Sequence, residues 1–233
     1  MMAYTLFTLA LLVLALLSIE VTGTSASSQI NSVATFMSPG GVLLPYPSVP
    51  LEFNGTIDGT PVVAQGSFQE LYAQLGLEDP TETAVGFFNE SAAALASREM
   101  SDCNCVPVPH NPTWKRAYVF SLDPIIKVMR DWHGDCNMKA HRCMQLNCFR
   151  GSAVHACNDR GEDKHIPCNR FADYTQKVRD QCFFKKRGSS GEAGGQLWDT
   201  EGWNIYVINQ ACVFVCSVAE RNNAFFFRNG CKQ

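Results

Sequence analysis

Apolar residues after position 50 fall into short runs that are broken by turn residues. The runs 51–57 and 61–64 flank Asp58-Gly59, a dipeptide typical of tight turns, and predict a β-hairpin. Ser67-Phe-Gln-Glu70 matches a capping box, so we expect a short helix that continues to Leu75. These patterns predict that two strands and a helix follow one another in this part of the chain.

Two longer segments have the periodicity of amphipathic helices. Asp123 is a natural N-cap and Pro124 suits the first helical position, so we expect one helix to begin there and to end at Gly134. A second helix is predicted from Asn169 to Cys182. The apolar positions that define the two stripes are Ile125, Val128, Met129 and Trp132 in the first helix, and Phe171, Tyr174, Val178 and Cys182 in the second.

The remaining apolar or alternating runs after residue 103 are typical of strands. Together with the helices they predict an α+β fold, in which an antiparallel sheet has two helices packed on one face and disulfides stabilise the whole. The predicted strands are Met144–Phe149, Ala153–Cys157, Asn204–Ile208, Cys212–Val218 and Ala224–Arg228.

The beginning of the chain predicts export. Residues 6–19 form an apolar run that fits the core of a signal peptide and is too short for a comfortable membrane span. Small residues favour cleavage after Gly23, or after Ala26, and the alternative is an uncleaved signal anchor. We therefore expect residues 1–23 to be a signal peptide and the protein to be secreted and extracellular, without stable membrane insertion.

Charge divides the rest of the chain into two parts. Residues 24–102 carry nine acidic residues and one basic residue and contain no cysteine, whereas residues 103–233 carry 18 basic and 12 acidic residues. Formal charges of −8 and +6 are therefore concealed in a whole-chain value of −3, to which Glu20 of the leader adds the remaining negative charge. Two alternatives remain open: the parts are two surfaces of one domain, or residues 24–102 are an acidic pro-region that shields the basic cysteine-rich domain 103–233.

Modification and processing motifs bear on these alternatives. Both glycosylation sequons, at Asn54 and Asn89, fall in the acidic region and predict that it is at the surface in the secretory pathway. The dibasic pair Lys115-Arg116 follows a proline-rich stretch and is a possible processing site for a kexin-type protease. A second basic cluster, Lys185-Lys186-Arg187, opens a glycine-rich loop where cleavage is also possible.

The cysteines are all candidates for disulfides, which are expected in an oxidising compartment. Cys168 and Cys182 flank one predicted helix and lie about 20 Å apart, too far to pair with each other, so each must reach another element. Because the number is odd, at least one thiol is either free or forms an intermolecular disulfide, for which Cys231 is the most accessible candidate. The eleven cysteines are Cys103, Cys105, Cys136, Cys143, Cys148, Cys157, Cys168, Cys182, Cys212, Cys216 and Cys231.

Zinc is an alternative use of some of these cysteines. The stretch from Cys136 through His141 and Cys143 to Cys148 contains ligand-type residues but lacks the close Cys-x2-Cys spacing of a zinc knuckle. With an export leader, disulfides are the favoured interpretation. We expect no metal site and no cofactor.

Several short motifs follow one another along the chain: Phe53-Asn-Gly-Thr-Ile57, Cys143-Met-Gln-Leu-Asn-Cys148, Cys157-Asn158-Asp159, Gly195-Gln-Leu-Trp198 with Trp203-Asn204-Ile-Tyr-Val207, and the late Cys212. In this order they resemble a widespread group of small secreted cysteine-rich proteins of filamentous fungi that are counted among candidate effectors. The resemblance covers about residues 143–212, and four additional cysteines distinguish this chain from the group. The general plan also resembles smut-type fungal killer toxins, which are disulfide-linked α/β sandwiches. The resemblance implies an extracellular effector-like role and carries no established catalytic residues.

Three functions are compatible with these features. The first is a secreted effector or virulence-type protein that binds a host protein or a cell-surface or cell-wall component, and not nucleic acid. The second is a killer or antimicrobial toxin, since a basic domain can bind anionic surfaces. The third is a small secreted hydrolase such as a ribonuclease, for which His155, Glu162 and His165, which lie in one short region of the sequence, are the candidate acid–base residues. We favour a binding protein without catalytic residues, with His155 as a structural histidine and 158–165 as a solvated loop.

Two tryptophans near the C-terminal third of the chain have two interpretations. Trp198 and Trp203 flank the acidic turn Asp199-Thr-Glu-Gly202. Two indoles spaced in this way could form a platform for a carbohydrate or a protein partner. The alternative, which we favour, is that they are core and rim residues of a hairpin.

Overall fold

The structure, a computed structural model, describes residues 36–57, 60–79, 81, 100–101, 103–109, 111–185 and 190–212. The helices of this part of the chain are α1 (Phe68–Gln74), α2 (Val119–Asp131) and α3 (Arg170–Gln181). The strands are β1 (Phe36–Met37), β2 (Leu43–Leu44), β3 (Leu51–Ile57), β4 (Thr60–Gly66), β5 (Asn104–Cys105), β6 (Ala117–Tyr118), β7 (Gly134–Met138), β8 (Arg142–Phe149), β9 (Ser152–Asn158), β10 (Lys164–Pro167), β11 (Glu192–Ala193), β12 (Gly195–Trp198) and β13 (Trp203–Asn209).

These strands form two main antiparallel sheets. One has five strands in the order β5-β12-β13-β9-β8, and the other has four strands in the order β10-β7-β3-β4. Two further sheets of two strands each pair β1 with β2 and β6 with β11. The fold is therefore of the α+β class, and it is rich in strands.

The predicted hairpin and the helix after it are confirmed. β3 and β4 pair from Leu51 opposite Gly66 to Ile57 opposite Thr60. Ser67 Oγ accepts a hydrogen bond from the Glu70 amide at 3.2 Å, and Glu70 Oε2 accepts one from the Ser67 amide at 2.6 Å. This reciprocal capping satisfies two backbone donors at the start of α1.

The predicted start of α2 at Asp123 and Pro124 is wrong. The helix begins at Val119, and Pro124 lies inside it. Leu122 is fully buried and extends the apolar stripe by one turn toward the N-terminus, which favours the longer helix. Asp123 forms an ion pair with Arg179 of α3 and does not cap α2.

The predicted strands in the middle of the chain are confirmed as β8, β9 and β13, and the second predicted helix is confirmed as α3. Cys212 lies in irregular structure, and the rest of the predicted strand Cys212–Val218 and all of Ala224–Arg228 fall outside the described residues. The predicted solvated loop 158–165 is shorter than expected, because Lys164 and His165 belong to β10 and pair with β7.

Both faces of the five-stranded sheet are covered, as alternate residues of β13 illustrate. Trp203 and Ile205 belong to a core cluster that includes α2 and α3, whereas Tyr206 and Ile208 belong to a second cluster with Trp114. Trp203 lies edge-on to Phe171 of α3, with ring centroids 5.7 Å apart. Burial on both faces makes β13 nearly continuous in apolar residues, as is typical of an interior strand.

Four disulfides connect these elements. As the sequence required, the cysteines that flank α3 pair with other elements: Cys168 with β7, and Cys182 with β5. Each bridge is expected to contribute about 2–4 kcal/mol to the free energy of unfolding. The pairs are Cys105–Cys182, Cys136–Cys168, Cys143–Cys157 and Cys148–Cys212.

Candidate functional site

Exposed aromatic rings gather where β6 and β11 lie next to the segment that follows α3. Tyr118 of β6 pairs with Glu192 of β11, and Glu192 exchanges backbone hydrogen bonds of 2.7 and 3.0 Å with Phe184. The chain after α3 is thereby fixed beside β6. We call the resulting surface the aromatic–basic surface, and it consists of Lys115, Arg116, Tyr118, Phe120 and Phe184.

The aromatic rings of this surface are unusually exposed for their size. Tyr118, Phe120 and Phe184 have 40%, 47% and 48% of their area exposed. Tyr118 and Phe120 stack on each other, with ring centroids 5.7 Å apart. Phe183, which is 48% exposed, lies beside this surface with its ring against Gly191. A cluster of exposed rings is more informative than a single exposed apolar residue, because such patches mark interaction sites.

Cations lie among these rings. The guanidinium carbon of Arg116 lies 4.8 Å from the centroid of the Phe184 ring, and Arg116 Nη2 donates a hydrogen bond of 2.6 Å to the carbonyl of Val106. These two contacts hold the guanidinium in place at the surface. Lys115 is exposed beside it, and its carbonyl accepts a hydrogen bond from the Asn209 amide at 2.8 Å. The Arg116 guanidinium is therefore held by its neighbours, whereas Lys115 is held through its backbone.

A groove of about 400 Å³ runs along the same residues. Its charged side chains are Lys115, Arg116 and Glu192, so two cations face one carboxylate and the groove carries a net positive charge. Apolar lining comes from buried Trp114 and Val106. The groove therefore suits a ligand that has anionic groups next to planar or apolar surface.

This surface was missed in the sequence analysis, although two signals point to it. Lys115-Arg116 is followed by Tyr118 and Phe120 at alternate positions, and Phe183-Phe184 is followed by three basic residues. Aromatic residues next to basic clusters occur in both places. The pairing of β6 with β11 brings the two segments together, and this pairing has no local signature in such short strands.

The residues of the hydrolase hypothesis are not assembled into one site. His155 lies in β9 of the five-stranded sheet and is completely buried, so it cannot exchange protons with a substrate at the surface. Burial lowers the pKa of His155 to about 4. Its Nε2 lies 2.9 Å from Gln210 Oε1, an interior hydrogen bond that is typical of a structural histidine.

Glu162 and His165 lie elsewhere, at an open polar groove of about 500 Å³. His165 is exposed on β10. The groove also contains Lys164, which pairs with Glu201 at 2.7 Å, and this cation lowers the pKa of Glu201. These opposite charges neutralise each other and leave an ordinary solvated polar surface.

The two tryptophans are core and rim residues of the β12–β13 hairpin, as favoured from the sequence. Trp203 is fully buried, and Trp198, opposite Asn204, is partly exposed. The indoles therefore do not form a shared exposed platform. The turn between them instead holds a buried carboxylate, since Asp199 accepts hydrogen bonds from Tyr174 and, at 3.0 Å, from Arg170.

The cysteines of the zinc alternative each have a different disulfide partner. Cys136, Cys143 and Cys148 bond to Cys168, Cys157 and Cys212 respectively, which leaves no thiolate in that stretch for a metal. Cys103 is the free thiol among the residues that the structure describes. Cys216 and Cys231 lie outside the described residues.

The modification and processing motifs can be placed in part. Asn54 is exposed on β3, and Asn89 lies outside the described residues, as does the leader. Lys115 and Arg116 lie directly before β6, within the aromatic–basic surface. Cleavage after Arg116 alone would not release the residues before it, because Cys105 on one side of the cut is bonded to Cys182 on the other.

Comparisons with known proteins gave no relative: no family model, no curated protein and no solved structure matches this chain. Within the described residues, no helix is long and apolar enough to span a membrane.

Proposed function

We propose that this chain is a secreted effector-type protein that binds an anionic component of a host cell surface or cell wall through the aromatic–basic surface. The observation that carries the proposal is the placement of the exposed rings of Tyr118, Phe120 and Phe184 around two basic side chains. The likeness of residues 143–212 to secreted fungal effectors, the apolar leader and the four disulfides support an extracellular role.

The chemistry of the surface favours one kind of partner. Aromatic faces pack against sugar rings or apolar side chains, and Arg116 and Lys115 can pair with carboxylate, sulfate or phosphate groups. Because Arg116 is already held by Phe184 and Val106, little side-chain entropy is lost when it pairs with a ligand. A partner that combines anionic groups with planar surface is the best match.

The helix arrangement predicted from the sequence is part of this proposal, since a rigid scaffold must hold the surface. In this arrangement, the two longer helices, α2 and α3, lie on one face of the five-stranded sheet. The contacts of α2 with β8 and β9, those of α3 with β12 and β13, and the packing of α2 against α3 support this arrangement. α2 begins directly after β6 and therefore fixes the position of Phe120.

Retention on an immobilised anionic polysaccharide tests the proposal. Purified protein would be applied to polygalacturonate and to neutral dextran, in about 0.02 M and about 0.5 M salt. We expect binding to polygalacturonate only, with a weaker affinity at high salt because the charges are exposed. The double variant Lys115→Ala/Phe184→Ala should bind at least about tenfold more weakly.

Matched controls change the same kinds of side chain elsewhere. Arg142→Ala removes a partly exposed cation from β8, and Val63→Ala removes part of a side chain that is 81% exposed on β4. Both should bind as the unchanged protein does. Equal retention of the double variant and the unchanged protein would contradict the proposal, as would equal binding to dextran.

A killer or antimicrobial toxin is the second candidate, and the same surface favours it. Aromatic rings next to cations suit the headgroup region of an anionic membrane. In this case the protein should inhibit fungal or bacterial growth and release dye from vesicles that contain anionic lipid. Binding to the polysaccharide without growth inhibition or dye release would favour the effector-type function.

A further inference from the structure

Three cysteine sulfurs meet where β5 lies beside the C-terminal end of α3. Cys105 and Cys182 form a disulfide, and Cys103 Sγ lies 3.1 Å from Cys182 Sγ. All three sulfurs lie within 4.8 Å of one another. Among the described residues Cys103 carries the free thiol, so a nucleophile lies next to a disulfide that it can attack.

We propose that Cys103 exchanges with the Cys105–Cys182 disulfide and thereby makes Cys105 a modification site for low-molecular-weight disulfides of the glutathione type. The Cys103 thiolate attacks Cys182 Sγ, the Cys103–Cys182 bond forms, the Cys105–Cys182 bond breaks, and Cys105 leaves as a thiolate. This thiolate then attacks a disulfide R–S–S–R, which forms Cys105–S–S–R and releases R–S⁻. The proton lost by Cys103 passes through water to the released thiolate.

The backbone permits Cys182 to form a disulfide with either Cys105 or Cys103. Cys103 and Cys105 are two residues apart where the chain enters β5, and alternate residues of an extended segment point to the same side. Either sulfur can therefore face Cys182 after a small shift of the chain. Cys182 Sγ is the sulfur in contact with Cys103 and is the electrophile, so Cys105 is the leaving group.

Exchange moves the reactive thiol from a sheltered position to an exposed one. Cys182 is buried and Cys103 is partly buried, whereas Cys105 is exposed. Lys177 is the cation that acts on Cys103 and favours its thiolate, but burial outweighs it and raises the pKa of Cys103 to about 11. The exchange is therefore slow at neutral pH and should be followed over hours. It does not depend on the proposed binding function.

The test treats the full-length protein with excess oxidised glutathione at about pH 8.5, without reductant, and follows the adducts by peptide mapping. Fragment-ion sequencing distinguishes Cys103 from Cys105 within one peptide. In the unchanged protein we expect the adduct on Cys105 together with a Cys103–Cys182 disulfide. The variant Cys103→Ser should acquire no adduct on Cys105, because the thiol that lies next to the Cys105–Cys182 disulfide has been removed.

A second variant checks the alternative pairing directly. Cys105→Ser should form the Cys103–Cys182 disulfide and acquire no adduct on either cysteine. The buried Cys143–Cys157 bridge is the internal control and should remain unmodified in every sample. An adduct on Cys103 with Cys105–Cys182 intact would overturn the proposal. So would modification of Cys105 in Cys103→Ser at the rate of the unchanged protein.

Discussion

The buried imidazole of His155 makes the stability of the protein dependent on pH. Gln210 Oε1 accepts hydrogen bonds from Ser38 Oγ and His155 Nε2, both at 2.9 Å, while Gln210 Nε2 donates to Gln145 Oε1 at 2.8 Å. This network assigns the proton of the neutral ring to Nε2. The Nδ1 atom of His155 is buried without a hydrogen-bond partner among the described residues, so the protonated ring has nothing to stabilise its second N–H.

The expected size of the effect follows from the two pKa values. Burial lowers the pKa of His155 to about 4 in the folded protein, against about 6.5 in the unfolded chain. Below pH 6.5 the unfolded chain therefore binds the proton more readily, and the free energy of unfolding falls as the pH falls. The loss is about 2 kcal/mol between pH 7 and pH 5 and approaches about 3 kcal/mol below pH 4.

The variant His155→Gln removes the titration and retains a donor toward Gln210. Guanidinium unfolding of both proteins at pH 7, 6, 5 and 4, without reductant, measures the free energy of unfolding. The difference between the two proteins should change by about 2 kcal/mol from pH 7 to pH 5, in favour of the variant. Because other groups titrate equally in both proteins, the difference isolates His155.

Parallel pH curves for the two proteins would refute this reasoning. They would mean that His155 titrates in the folded protein as it does in the unfolded chain, and therefore that it reaches solvent. The constant offset between such parallel curves would report only the packing cost of the glutamine. The predicted change in the difference is well above the uncertainty of denaturant extrapolation for two closely related proteins.

Asp199→Ala removes the buried carboxylate that pairs with Arg170 at 3.0 Å, and it should lower the free energy of unfolding by about 3 kcal/mol in a denaturant titration. A loss below about 0.5 kcal/mol would mean that this pair contributes no more to stability than an ordinary surface ion pair. Alkylation of Cys103 should accelerate about tenfold for each pH unit between 7 and 10, since burial raises its pKa to about 11, and mass spectrometry measures the rate. A plateau near pH 9 would argue against this burial. A protease cut after Arg116 should yield one band on a non-reducing gel and two on a reducing gel, because Cys105 is bonded across the cut. Two bands without reductant would indicate a different disulfide pairing.

The elements with strong local signals could be predicted from the sequence. The capping box at Ser67 identified α1, and burial on both faces gave β9 and β13 the apolar runs that predicted them. The start of α2 could not be predicted, because an N-cap signal at Asp123 and a proline compete with burial of Leu122, and burial prevails. Tertiary packing therefore decided where local signals disagreed.

Strands that depend on distant partners gave no recognisable pattern. β7 reads Gly-Asp-Cys-Asn-Met and has few β-favouring residues, yet it lies between β3 and β10 and is held by the Cys136–Cys168 disulfide. The aromatic–basic surface is similar, because its parts come from segments about 65 residues apart that meet through two short strand pairings. From the sequence, an apolar side chain such as that of Phe184 is expected in the core, and only the fold shows that it is exposed.

The division of charge along the chain does not correspond to a division between sheets. β3, from the acidic region, lies between β4 and β7, and Glu52 on β3 pairs with Lys139 at 2.9 Å. Leu51 and Phe53 of the same strand are buried in the core that includes the helices. A pro-region that includes β3 would on removal leave β7 with an open edge and the core without two large apolar side chains. The pro-region hypothesis therefore requires the residues around β3 to stay bound after processing, which strand pairing and the Cys105–Cys182 disulfide would achieve.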